Sequence, residues 1–243
     1  MKTLFTLFAS SIALLHALPA RADEAPSDPL SFNVGAVSEY RYRGISQSRF
    51  KPALQGGVDY AAPSGFYVGA WASTIQWIKD AGGDSRVEVD LYGGYKAEVA
   101  NGLTLDVGLL QYAYPGNQLN PSANTLEVYG ALSFGPVTAK YSHSTTNLFG
   151  FADSKGSGYL DVAANVDLGH GLMLTPHVGH QTVAHRASAS YTDYSLTLAK
   201  DFSGLVLSGS VIGTDADKAA YASPANGKFM GRTALVVGLK KTF

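Results

Sequence analysis

The chain contains no cysteine, which excludes disulfides and thiolate metal sites from its 243 residues. Charge is scarce: 15% of the residues are Asp, Glu, Lys or Arg, with a formal net of −1, so there is no basic footprint for nucleic acid. The glycine pairs Gly56–Gly57 and Gly93–Gly94 lie in no GxGxxG or Walker pattern, so they are not phosphate loops. They suit the bending of strands. Long apolar runs are nearly missing as well. The one present, "LFTLFASSIALLHAL", follows Lys2 and precedes "ARA" at Ala20–Ala22. A cationic start, an apolar middle and small residues at the cleavage positions predict a secretory signal over residues 1–22, cut after Ala22. The run is short for a spanning helix. No later run reaches that length, so membrane residence after export requires a closed barrel. Without Lys2 and Arg21 the mature chain carries about −3.

What the chain does have is alternation. After a short leader at 23–30, residues 31–243 read as one all-β unit of about twelve strands. Their expected bounds are 31–43, 52–61, 66–78, 86–99, 103–114, 124–134, 137–146, 158–168, 172–182, 190–200, 204–213 and 232–243. "RVEVDLYGGYKAEV" (86–99) is the clearest. There Val87, Val89, Leu91, Tyr95 and Ala97 alternate with Arg86, Glu88, Asp90, Tyr92 and Lys96, and only a strand sorts those charges onto one face. In 31–43, Tyr40 and Tyr42 fall opposite Glu39, Arg41 and Arg43. In 66–78, Tyr67, Trp71, Ile75 and Trp77 are read as one apolar face. In 103–114 the apolar phase shifts at Leu110, Tyr112 and Tyr114, which predicts a bulge.

The connections alternate in length. "APSG", "ANG", "FGP", "GHG" and "DFSG" are tight turns, whereas "GISQSRFK", "KDAGGD", "PGNQLNPSA", "NLFGFADSKG", "VAHRASA" and 214–231 are longer and polar. That asymmetry belongs to an outer-membrane barrel with short periplasmic turns and longer extracellular loops. Tyr60, Tyr67, Tyr95, Phe134, Phe202 and Phe243 fall near the short turns, and Tyr40, Tyr42, Trp77 and Tyr114 near the long loops, as two interfacial girdles would. A soluble sandwich or lipocalin-like barrel has the same period with the opposite solvent. Aromatic placement, loop asymmetry, the missing cysteines and the C-terminus favour the membrane form, in the outer membrane of a Gram-negative bacterium. The final Phe243, with Gly238 five residues before it, suits the signal read by the barrel-insertion machinery. Lys241 departs from that pattern.

"SEYRYRGISQS", "ALQGGVDYA", "GFYVGAWAS", "VEVDLYGGY", "QYAYPG", "EVYGALSFGPVTAKY", "HVGHQ" and "DYSLTLAKDFSG" followed by "VIGTDAD" run in order through the mature chain. These stretches resemble the TorF family of porin-like proteins, also called the Gcw_chp family. The resemblance implies an outer-membrane barrel more firmly than any substrate.

Strand parity then supplies the inward charges: Glu39, Asp59, Glu88, Asp90, Asp106, Glu127, Asp161, Asp167 and Asp193 against Arg41, Arg43, Arg86, Lys96 and Lys140. The expected pore-lining set is Glu39, Arg41, Arg43, Asp59, Glu88, Asp90, Lys96, Glu127, Lys140 and Asp161. The first reading is a passive diffusion channel for small hydrophilic solutes or ions, mildly favouring cations, without cofactor or metal. Twelve strands lie between barrels of about eight, filled by side chains, and porins of about 16–18. The alternative is therefore a non-conducting barrel whose loops, 214–231 and "GISQSRF", bind a ligand or partner. An enzyme is not expected. His143 and Ser144 in "YSHSTTN" point to opposite faces of a strand, and His170, His177, His180 and His185 do not converge by parity on a metal. Beyond lipid, insertion machinery and solutes the sequence specifies no partner, and it leaves the oligomeric state open.

Overall fold

A computed structural model of the chain describes residues 28–243. The signal segment, its cleavage point and leader residues 23–27 lie outside the described residues. The sheet contains twelve staves: β1 (Leu30–Val37), β2 (Ala53–Ala61), β3 (Phe66–Thr74), β4 (Val87–Ala100), β5 (Leu103–Ala113), β6 (Thr125–Phe134), β7 (Val137–Ser144), β8 (Gly158–Ala164 continued by Val166–Gly169), β9 (Leu172–Thr182), β10 (Tyr191–Asp201), β11 (Leu205–Thr214) and β12 (Ala234–Thr242). Each pairs antiparallel with its sequence neighbours, and β1 pairs with β12 from Asn33↔Thr242 to Val37↔Gly238, closing the barrel. Phe32 and Phe243 exchange backbone bonds at the seam, 3.2 and 2.8 Å. Closure leaves the circumference without the open edge that would template aggregation.

Burial alternates as expected for most staves. On β2, β4, β6 to β8 and β9 to β12 the outward residues are Leu, Val, Ala and aromatics: Leu54, Leu91, Leu132, Leu160, Val178, Leu196, Leu207 and Leu235 are all exposed. The inward positions carry hydroxyls, amides and charges. Five tight turns occupy one end, and the longer loops, including the first at 38–52 and the last at 215–233, occupy the other. Among the described residues no helix is long and apolar enough to cross a membrane. Among the same residues helix is confined to one turn at Trp77–Asp80 and a 3₁₀ turn at Ala187–Ala189.

Three expectations are corrected. First, the opening strand does not run to residue 43. It ends at Val37, and the chain turns inward to make a small hairpin, Arg41–Tyr42 against Ile45–Ser46. Tyr40 is 1% exposed, so it is no part of an outer girdle. Secondly, β3 faces the other way. Phe66 and Val68 are exposed, and Trp71 and Ser73 are buried. Tyr67 points inward, where its hydroxyl donates to Asp106 at 2.5 Å. Thirdly, β5 has no bulge at Leu110. Its register to β4 runs unbroken from Glu98↔Thr104 to Val89↔Ala113, and the irregularity lies at Glu98/Ala100. Leu110 and Tyr112 face inward because the hairpin offers them an apolar surface. Tyr114, just past β5, is buried in the same cluster, with Trp77 packed against it.

The exposed aromatics are consequently lopsided. Phe32, Tyr60, Phe66, Tyr95, Phe134, Phe202 and Phe243 ring the short-turn end, and among the described residues only Tyr141 and Tyr194 of the exposed aromatics lie toward the loops.

Glycines admit tyrosine rings across neighbouring strands. Gly94 lies opposite Tyr67, and a β-carbon there would sit 2.5 Å from the Tyr67 hydroxyl. Gly108 stands in the same relation to Tyr129, also at 2.5 Å. Close approach of a ring, more than strand bending, accounts for the second glycine of "YGG".

Candidate functional site

The interior has two halves. In the short-turn half the wall supplies everything. Lys96 pairs in register with Asp106, and Lys140 with Asp161, so opposite charges stand directly across adjacent strands. The Tyr92 hydroxyl donates to Asp59, and the Tyr67 and Tyr129 hydroxyls meet. The Lys140 ammonium sits 4.0 Å above the Tyr129 ring. Hydroxyl pairs Ser133–Thr138 and Thr197–Ser210, both 2.8 Å, continue the polar surface around the barrel.

In the long-loop half the first loop folds into the lumen. The hairpin turns on Arg43 (φ 46°) and Gly44 (φ 77°), both left-handed, as a two-residue I′ connection requires. Glycine suits the second position. A β-carbon there would also strike Asp193 Cβ at 2.8 Å, so the tip abuts β10 closely. Arg43 projects from the tip. Its Nη2 donates to both oxygens of Glu127 on β6, 3.0 and 2.7 Å, and its Nη1 donates to Gln181 Oε1 on β9 at 2.6 Å. Its guanidinium carbon lies 4.2 Å from the Tyr159 ring centre on β8. The Tyr191 hydroxyl donates to the Arg43 carbonyl at 2.9 Å.

The hairpin's other side is tied to β4 and β5. Tyr40 donates to Glu88 at 2.6 Å, and the Tyr42 and Tyr112 hydroxyls share a bond. Arg41 pairs with Glu39 at 3.0 Å and donates to the carbonyls of Gly44 and Arg232, 2.9 and 2.6 Å. Aromatic edges from Trp71, Tyr112 and Phe149 pack on Tyr40 and Tyr42. The segment thus touches walls on both sides of the barrel. A cavity of about 20 Å³, room for one water, remains beside Glu39, Arg41 and Gln55.

Every residue of the expected pore-lining set points into the barrel interior. Asp59, Lys96, Lys140 and Asp161 occupy the short-turn half; Glu88, Asp90 and Glu127 line the other half as wall. Glu39, Arg41 and Arg43 belong to the inserted loop instead of the wall. Two residues assigned inward by parity are not there. Arg86 precedes β4 and is exposed, and Asp167 is exposed near the short turn, accepting a bond from Gly169 N at 2.7 Å. Lys240, on the inward parity of β12, was missed because the terminal pattern was read for its apolar residues.

The histidines separate. His177 is inside, 3.5 Å from Asp161 and 3.7 Å from Asp193, whereas His180 faces outward and bonds Thr192. His170 sits in a tight turn and His185 in a loop beside Asp153. Ser144 is buried inside, and His143 lies on the outward parity of β7. "GISQSRF" is no free surface over its first half: Ser46 and Ser48 are buried, and Ser46 N donates to Met230 O at 3.0 Å in the last loop.

An apolar belt around a closed, charge-lined interior defines the class of barrel found in outer-membrane porins. The chain belongs to the Gcw_chp family, described as a bacterial protein of unknown function, whose model matches residues 21–243. Among solved structures the fold is similar to the KdgM porin, with TM-score 0.58, 8% identity, and coverage of 88% of this chain and 99% of that one. It is also similar to the NanC porin, with TM-score 0.55, 12% identity, and coverage of 88% and 98%. The KdgM porin in complex with disordered oligogalacturonate aligns with TM-score 0.57 at 8% identity, over 88% of this chain and 98% of that one. No curated protein matches the sequence.

Proposed function

We propose that the chain is an outer-membrane channel for small hydrophilic solutes or ions, narrowed where the inner hairpin crosses the lumen. The observation that carries this reading is the sorting of every strand-borne charge of the expected lining inward, behind an apolar exterior. Placing Arg or Lys on the lipid side of a barrel costs about 2–4 kcal/mol at the midplane, so the sorting has a physical cause only if hydrocarbon surrounds the wall. The interior is acid-rich: Glu39, Asp59, Glu88, Asp90, Asp106, Glu127, Asp161 and Asp193 outnumber Arg41, Arg43, Lys96, Lys140 and Lys240. A polyanion such as the oligogalacturonate of the KdgM complex is therefore a poor solute here, and cationic or neutral solutes are favoured. On this reading residues 1–22 are removed on export after Ala22. Phe243, with its ring exposed at the end of β12 and Gly238 behind it, serves the insertion machinery.

The buried Arg43–Glu127 tie favours a second reading, a barrel closed at rest. Planar-bilayer recording decides between them. Cation-selective steps in the wild-type protein support the channel. Steps only after Arg43→Asn support a closed resting state. Silence in both proteins overturns conduction altogether.

A further inference from the structure

Arg43 occupies a site built chiefly by the wall, its own loop adding only the Tyr42 ring 4.8 Å from the guanidinium carbon. Glu127, Gln181 and Tyr159 come from β6, β8 and β9, and they meet the guanidinium with a carboxylate, an amide oxygen and an aromatic face. Those are the three groups that recognise a planar, weakly hydrated cation. The backbone gives no reason for arginine at this position. At φ 46° a side chain with a β-carbon is strained, and Asn or Gly is the residue suited to the first turn position. The guanidinium, not the turn, accounts for the residue.

The wall also holds a second carboxyl group close to the one Arg43 meets. Asp90 is 0% exposed, and neither of its carboxylate oxygens has a hydrogen-bond partner among the described residues. It stands across from Tyr112, whose hydroxyl reaches Glu127 at 3.3 Å. Asp90 and Glu127 therefore flank one ring, one carboxylate engaged by Arg43 and the other buried without a hydrogen-bond partner.

We propose that Glu127, Gln181 and Tyr159 form a binding site for guanidinium-bearing organic cations, filled at rest by Arg43 as a tethered stand-in for the ligand. A solute cation that enters the lumen exchanges with Arg43, and the hairpin tip loses its main attachment to the wall. The consequence for passage rests on the channel reading; the binding site does not.

The test uses the purified full chain in detergent, with methylguanidinium as the probe and methylammonium as its control. Arg43→Asn removes the tethered cation while keeping a residue that tolerates the left-handed turn, and Arg43→Gly serves as a second such variant. Calorimetric titration should show methylguanidinium binding either variant at least about tenfold more tightly than wild type, with methylammonium weaker. Adding Glu127→Gln to the variant should remove at least about tenfold of that affinity. Binding no tighter than wild type in both folded variants, or binding indifferent to Glu127→Gln, overturns the site. A silent bilayer trace with this titration intact sinks the channel and leaves the site standing. A conducting protein without the titration does the reverse.

Discussion

The two halves of the interior are built from the same residue types by opposite means. In the short-turn half, Lys96–Asp106 and Lys140–Asp161 are register partners, each charge held by the strand that carries it. In the long-loop half, Arg43 reaches Glu127 across 84 positions of sequence and Gln181 across 138, from a hairpin that hydrogen-bonds to no barrel strand in register. The first arrangement follows from pleat and closure alone. The second depends on contacts between a loop and strands remote from it in sequence. The short-turn half is thus a fixed surface, and the long-loop half is an assembly of wall and removable insert.

The largest effect expected of that difference is at Glu127. Glu127→Ala leaves a buried guanidinium without its carboxylate, a loss of about 3–5 kcal/mol, while Asp161→Ala, whose side chain is 23% exposed, loses no more than about 1 kcal/mol. Urea titration in detergent measures both. Limited proteolysis should then cut within residues 38–52 of the Glu127 variant only. Equal losses at the two positions would erase the distinction between wall and insert.

Next comes the surrounding belt, which both halves share. Leu109→Arg places a charge on the outward face of β5 and should cost about 2–4 kcal/mol in lipid refolding titrations. A neutral outcome would mean that water, not hydrocarbon, wets that face. Smaller again is the ring-over-glycine packing. Gly108→Ala forces the Tyr129 hydroxyl aside and crowds the Gly93 carbonyl, 2.6 Å from the new β-carbon, and should cost about 1–3 kcal/mol by thermal unfolding. Gly209→Ala, with open space where its β-carbon would go, should stay within about 0.5 kcal/mol. Equal effects would show that both the ring and the neighbouring strand yield to the added methyl.

These positions also show where sequence reasoning reached and where it stopped. The charges of 86–99 could lie on one side only in a strand, so β4 and the inward placement of Glu88, Asp90 and Lys96 were legible. Loop lengths gave the two ends of the barrel. On β3 the alternation misleads because its most hydrophobic-looking residues, Tyr67, Trp71 and Trp77, are large rings that here hydrogen-bond or pack inside. Phe66 and Val68 shared parity with Ala70 and Ala72 and carried the correct signal. The hairpin was lost for a different reason. "YRGI" places only one glycine in a two-residue turn, and an arginine in the left-handed region has no strong sequence signature. Its contacts join residues 84 and 138 positions apart, which alternation within one segment cannot reveal. Read as wall, the same tyrosines looked like a lipid girdle.

The smallest expected effect lies in the fixed half and separates charge from structure. Asp59→Asn keeps an oxygen to accept the Tyr92 hydroxyl and removes only the negative charge. Asp106→Asn does the same for Tyr67. Each should change unfolding free energy by less than about 1 kcal/mol, since both side chains are partly solvated. The double variant should nevertheless move the reversal potential in a salt gradient toward anions, because Lys96, Lys140 and Lys240 would then face only Asp161 on that side. If the potential moves while protease resistance of the hairpin is unchanged, selectivity belongs to the fixed wall. If the potential stays put in a conducting protein, the controlling charges are those at the insert, Glu88, Asp90 and Glu127, and the short-turn half is a vestibule.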